Sequence, residues 1–248
     1  MTGHVSAEQS ANSLPHSWQR LLALSGVAFA VLFLVGWFAS GGDAPDYGAS
    51  DQDWTSWASD NQWKSRIGAF AMLLAGFVFL HFAATIRTAL GDAEARAGGS
   101  VQLARVAFAG AITGIAGMVM AIVIISSATT EGADANPVVT RAIASSSAGP
   151  FLLSAMGFAA LLLTAGLLTL RSGVFARWTG VVALIGAVGF LVAFAAVLSG
   201  LGEDSLFGFG FFPGVLALVV WSIATSIARY RAVATTAREG VATETDAP

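Results

Sequence analysis

The sequence predicts an all-α polytopic membrane protein, a six-transmembrane-helix bundle with short outer amphipathic helices. Three observations predict it. Six stretches carry no charge at all: residues 21–42, 67–86, 106–130, 142–170, 178–202 and 205–228. Each reaches the ~20 residues that a helix rising ~1.5 Å per residue needs to cross ~30 Å of hydrocarbon. Backbone in lipid must satisfy its own hydrogen bonds, so such runs are helices. Charged residues make up 11% of the chain, against about 25% in an ordinary soluble domain. Finally, the basic residues are unevenly shared between the connections. One set holds Arg20, Arg87, Arg96, Arg105, Arg171, Arg177, Arg229, Arg231 and Arg238; the other holds only Lys64, Arg66 and Arg141. The positive-inside bias then places both termini in the cytoplasm of a cell bounded by this membrane.

The expected domains are a disordered cytoplasmic leader at 1–17, a membrane domain at 18–230 and a disordered cytoplasmic tail at 231–248. The spans fall at about 19–39, 67–90, 101–127, 149–170, 177–200 and 206–229. The first apolar run exceeds the ~7–15 residues of a signal-peptide core and reads as a span. Trp18 and Trp37 sit near its two interfaces, where amphipathic rings prefer to lie.

The connection at 41–66 is the most distinctive polar segment. Gly41-Gly42-Asp43-Ala44-Pro45-Asp46 breaks the chain, and Ser50-Asp51-Gln52-Asp53 has the form of a capping box opening a short helix. Trp54 and Trp57 share one face of that helix, which would rest at the outer interface over the bundle mouth. The second span carries His81, the one histidine within a span, with Thr85 and Thr88 on the same side. Intramembrane ionisable groups are costly and point to function by default, although a neutral imidazole is also satisfied by a hydroxyl on a neighbouring helix. The connection at 91–100 reads as short and flexible.

In the third span Ala107, Gly110, Gly114, Gly117 and Ala121 recur at steps of 3 and 4 on one helix face. Gly186, Gly189, Ala193, Ala196 and Gly200 repeat the device in the fifth. Smooth stripes let backbones approach closely in lipid, so the third and fifth spans are expected to be neighbours, with homodimerisation through one stripe as the alternative. Between them, Asn136-Pro137 suits an N-cap followed by proline at the first helical position. Val138, Val139, Ala142 and Ile143 would form the apolar face of a second outer helix. The fourth span carries Ser154, Gly157 and Thr164 along one side, with Pro150 in its first turn. The sixth opens as LFGFGFFPG, where the glycines and Pro213 read as a loose half-turn before the regular run.

Scattered features extend across most of this pattern. They are Trp63, Lys64, Arg66 and Gly68 opening the second span, Phe79-Leu80-His81-Phe82 leading to Ile86-Arg87, Asn136-Pro137 with Arg141-Ala142, Arg177-Trp178-Thr179-Gly180, and Trp221-Ser222-Ile223. In these the chain resembles a family of uncharacterised six-span bacterial integral membrane proteins, common in actinobacteria and known as a domain of unknown function. The resemblance implies topology and carries no catalytic residues.

No catalytic, cofactor-binding or metal-ligating residue emerges. The chain has no cysteine, which excludes thiolate chemistry, and no basic cluster dense enough to track nucleic acid. No carboxylate falls within a span, so a proton relay on a buried acid is absent. A single intramembrane histidine rules out bis-histidine haem ligation within one chain. Three functions compete. The favoured one is a non-enzymatic structural or accessory protein that contacts the bilayer and a membrane-protein partner or a second copy. The alternative is a transporter of small molecules or lipid with a cavity lined by His81, Thr85 and Thr164. The third is an intramembrane enzyme, disfavoured because a serine nucleophile needs a positioned base.

Overall fold

The structure, a computed structural model, describes residues 16–40, 44–130, 136–199 and 206–245. The leader before His16, the break at Gly41–Asp43, the loop acids Glu131, Asp134, Glu203 and Asp204, and Gly200 lie outside the described residues. Among them the chain forms helices α1 (His16–Ala23), α2 (Ser25–Ser40), α3 (Asp51–Asp60), α4 (Gln62–Arg96), α5 (Gln102–Ala128), α6 (Pro137–Ser146), α7 (Ala148–Ser172), α8 (Arg177–Ser199) and α9 (Leu206–Thr245). The protein is therefore an all-α polytopic membrane protein. Gln62–Arg96, Gln102–Ala128, Pro137–Ser172, Arg177–Leu198 and Leu206–Thr235 are each long and apolar enough to cross a bilayer, while Ser25–Ala39 is a shorter apolar helix.

The six main helices form a closed ring in chain order. α2 packs on α4, α4 on α5, α5 on α7, α7 on α8 and α8 on α9, and α9 returns to α2. Aromatic side chains fill the interior. Phe29, Phe33, Trp37, Phe151, Phe211, Phe190, Phe158 and Phe79 make a closed circuit of ring contacts, with centroids 4.5–6.4 Å apart. Those separations suit tilted and edge-to-face pairing. The circuit draws on α2, α4, α7, α8 and α9, and apart from half-buried Trp37 its members are buried.

The glycine stripes do not meet each other. Helix α5 lays its stripe on α7: a Cβ at Gly110 would lie 2.7 Å from Gly157 O and from Leu161 N, and one at Gly117 would lie 2.6 Å from Pro150 O. Helix α8 lays its stripe on α9: a Cβ at Gly189 would come within 2.8 Å of Gly214 N and 2.9 Å of Gly210 O. Gly186 faces Leu162 and Ala217, and Ala193 is buried with its backbone N–H beside Gly210. The expected pairing of the third and fifth spans is thus replaced by pairing of each with its successor. Periodicity fixes which face is smooth; the neighbour is whichever helix carries the matching gap, here Gly157 and the Gly210–Gly214 pair. Both stripes are consumed within the chain.

Three further expectations change. The first span is interrupted at Leu24. There the Leu22 carbonyl accepts from Ser25 Oγ at 2.6 Å, and the Gly26 N–H donates to Ser226 Oγ on α9 at 2.9 Å. Side chains thereby satisfy both backbone groups freed by the break, the condition for non-helical backbone at membrane depth. Pro213 lies inside α9, which is helical from Leu206 onward. Gly210 and Gly214 on either side of it serve contact with α8 rather than a loose turn. The tail beyond residue 231, expected to be disordered, continues α9 as helix to Thr245. Its Ala, Arg and Glu residues are good helix formers that need no lipid.

Candidate functional site

The polar intramembrane residues are placed as follows. His81 is exposed on the outer face of α4, edge-on to Phe77 with centroids 5.2 Å apart. Thr85 Oγ1 donates back to His81 O at 3.0 Å, within its own helix. Thr164 is buried in α7, and its hydroxyl is held by Ala160 O at 2.7 Å. Thr85 lines a cleft of about 190 Å³ with Gln19, Leu22, Thr88, Arg229 and Val233, in which neither His81 nor Thr164 takes part. The expected lining of one cavity by all three is not what the packing produces. A lone histidine in an apolar run carries no sign of which way it points, because exposed and buried positions of a membrane helix are equally apolar.

The cap over one mouth of the bundle, expected on the outer side, is built from local signals that the chain states clearly. Ser50 caps α3: the Asp53 N–H donates to Ser50 Oγ at 3.2 Å and the Ser50 N–H donates to Asp53 Oδ2 at 3.1 Å. The Ser50 hydroxyl also donates to Asp53 Oδ2 at 2.7 Å, and this bond first, with the Ser50 N–H second, holds the Asp53 carboxyl below its ordinary value. Trp54 and Trp57 turn inward and are buried against the bundle, with Trp54 Nε1 donating to Asp46 O at 3.2 Å. Asn136 caps α6 by accepting from the Val138 N–H at 3.0 Å. Helix α6 is rotated from expectation: Thr140 and Ala144 are buried, whereas Val138 (64%) and Val139 (51%) are exposed. Two contacts tie the caps together across the chain. Arg141 Nη1 meets Asp51 Oδ1 at 3.0 Å, and the Tyr47 hydroxyl lies 2.9 Å from Ser147 Oγ. Burial pushes the Tyr47 phenol up, and the Ser147 hydrogen bond partly opposes it.

At the opposite end, the connection expected to be flexible is held by Glu94. Helix α4 runs on to Arg96, and the buried Glu94 carboxylate accepts from Leu103 N at 3.2 Å and Ala104 N at 3.0 Å. It thus supplies the N-terminal cap that Val101, left-handed at φ 61°, does not give to α5. Among the described residues no group of three or more His, Asp or Glu side chains is placed to hold a metal ion.

An aromatic-filled helical ring, capped on one side and arginine-rich on the other, defines a multi-pass membrane protein. The chain belongs to the family described as a domain of unknown function, DUF4386, whose model matches residues 24–226. No curated protein and no solved structure matches it.

Proposed function

We propose that this is a non-enzymatic structural or accessory protein of the plasma membrane, crossing it six times with both termini in the cytoplasm. In this reading the outer cap engages a membrane-protein partner. The observation that carries it is the closed aromatic circuit through the bundle, which leaves the interior occupied by side chains rather than by a polar path. The outward turn of His81 weighs against both the transporter and the enzyme alternatives, since neither a cavity nor a serine then has an imidazole beside it. The paired serines at Leu24 support a first crossing made by α1 and α2 together. The arginine distribution supports the orientation. Exposed Val138 and Val139 on α6 give the cap an apolar spot for a partner.

A photo-crosslinker placed at Val138 in intact membranes should trap one defined protein, and Val139→Asp should abolish the adduct. Proteoliposomes containing the chain should remain tight to small solutes. Specific solute uptake, or cross-linking to lipid alone, would overturn the reading.

A further inference from the structure

We propose that the arginine-rich end of the bundle holds one anionic phospholipid in the groove between the start of α8 and the latter half of α9. The groove encloses about 420 Å³ and is lined by Trp178, Thr179, Ile223, Ala224, Ile227 and Arg231, among others. Its walls are almost wholly apolar, because Thr179 Oγ1 is turned away to Ala176 O at 2.8 Å. Val220, Ala224, Ile227 and Arg231 step by 4, 3 and 4 along one face of α9, so the apolar track ends on a guanidinium. From Val220 to Arg231 the track runs about 16 Å at ~1.5 Å per residue, the length of an extended acyl segment.

The polar end is suited to a phosphate. Arg231 is exposed and, among the described residues, forms no ion pair. Arg177, next to the lining residue Trp178, is likewise exposed and unpaired. Guanidinium groups bind phosphate oxygens through paired N–H donors, and basic pockets between helices on this side recruit anionic headgroups. Trp178, 54% exposed at the mouth, stands where an amphipathic ring meets the headgroup layer. A groove open to hydrocarbon is filled by a chain, and the charge at its end selects an anionic lipid over a zwitterionic one. This site is independent of the outer cap and of the partner reading.

Native mass spectrometry of the full chain from mixed micelles with equal phosphatidylglycerol and phosphatidylcholine tests it. One phosphatidylglycerol should be retained in preference. Arg231→Gln should lower that retention about fivefold, the effect of one basic contact, and Ala224→Trp should block it by filling the groove. Arg231→Gln changes an exposed side chain, so the test survives even if Ala224→Trp misfolds. Equal retention of the two lipids, or retention unchanged in Arg231→Gln, overturns the proposal.

Discussion

Single side chains in this protein are read most safely where their partners are close in sequence. Ser50 and Asp53 are three residues apart, and their capping box forms as the spacing implies. His81 has no such neighbour to fix its direction. Because it is exposed and touches Phe77, His81→Phe should leave stability within about 0.5 kcal/mol of the parent, as measured by thermal unfolding in detergent. Tyr47 offers a pH test. Its phenol is raised above the ordinary value of 10.0, chiefly by burial. A raised value favours the neutral form in the fold. Its contribution is therefore complete below pH ~10 and is lost as pH rises through the folded value. The chain has two tyrosines, so Tyr230→Phe isolates Tyr47 for ultraviolet titration. Adding Ser147→Ala should move the transition higher still, because that hydrogen bond opposes the rise.

Helices are legible as intervals but not as neighbours. The charge-free runs correspond to α4, α5, α7, α8 and α9, since hydrocarbon imposes length and apolarity on each helix separately. Which helix lies beside which is a property of two surfaces, and the stripe on α5 alone does not reveal that Gly157 waits on α7. The break at Leu24 depends on Ser226, 200 residues from the Gly26 N–H that it accepts, and the cap of α5 on Glu94, in the preceding helix. Both escape any local pattern. Three consequences are measurable at this scale. Gly117→Ala places a methyl against the Pro150 carbonyl and should cost about 1–3 kcal/mol, whereas Gly149→Ala meets nothing within 4 Å and should be neutral. Glu94→Ala should destabilise by about 1–2 kcal/mol, the value of a lost N-cap, with Glu94→Gln intermediate. In the cap, Trp54→Ala should cost about 3–5 kcal/mol. Arg141→Gln should cost ~1 kcal/mol or less, because both partners of that pair are 38% exposed and water screens them. Unfolding in detergent monitored by circular dichroism ranks all six variants.

The whole molecule is a ring whose neighbours follow chain order, so each contact between adjacent spans closes over a short connection, and the contacts of α9 with α1 and α2 join the distant ends. Helix α5 adds a smooth backbone surface to that ring, while the others bring aromatic rings to its interior. Such an assembly excludes water by filling its axis rather than by gating it, and that distinction can be measured. The chain contains no cysteine, so a single introduced thiol reports its own surroundings without background. Ser154 is buried on α7, one turn from both Phe151 and Phe158 of the aromatic circuit, and cysteine is close to its shape. Ser154→Cys should resist a charged thiol reagent from either side of the membrane and react only after unfolding. In the proposed orientation, Gly48→Cys on the exposed loop before α3 should react from outside intact cells, and Ser100→Cys in the exposed connection after α4 only once the cells are opened. Rapid labelling at residue 154 in the native protein would mean that a water path reaches the circuit, and the aromatic interior could then no longer serve as the argument against transport.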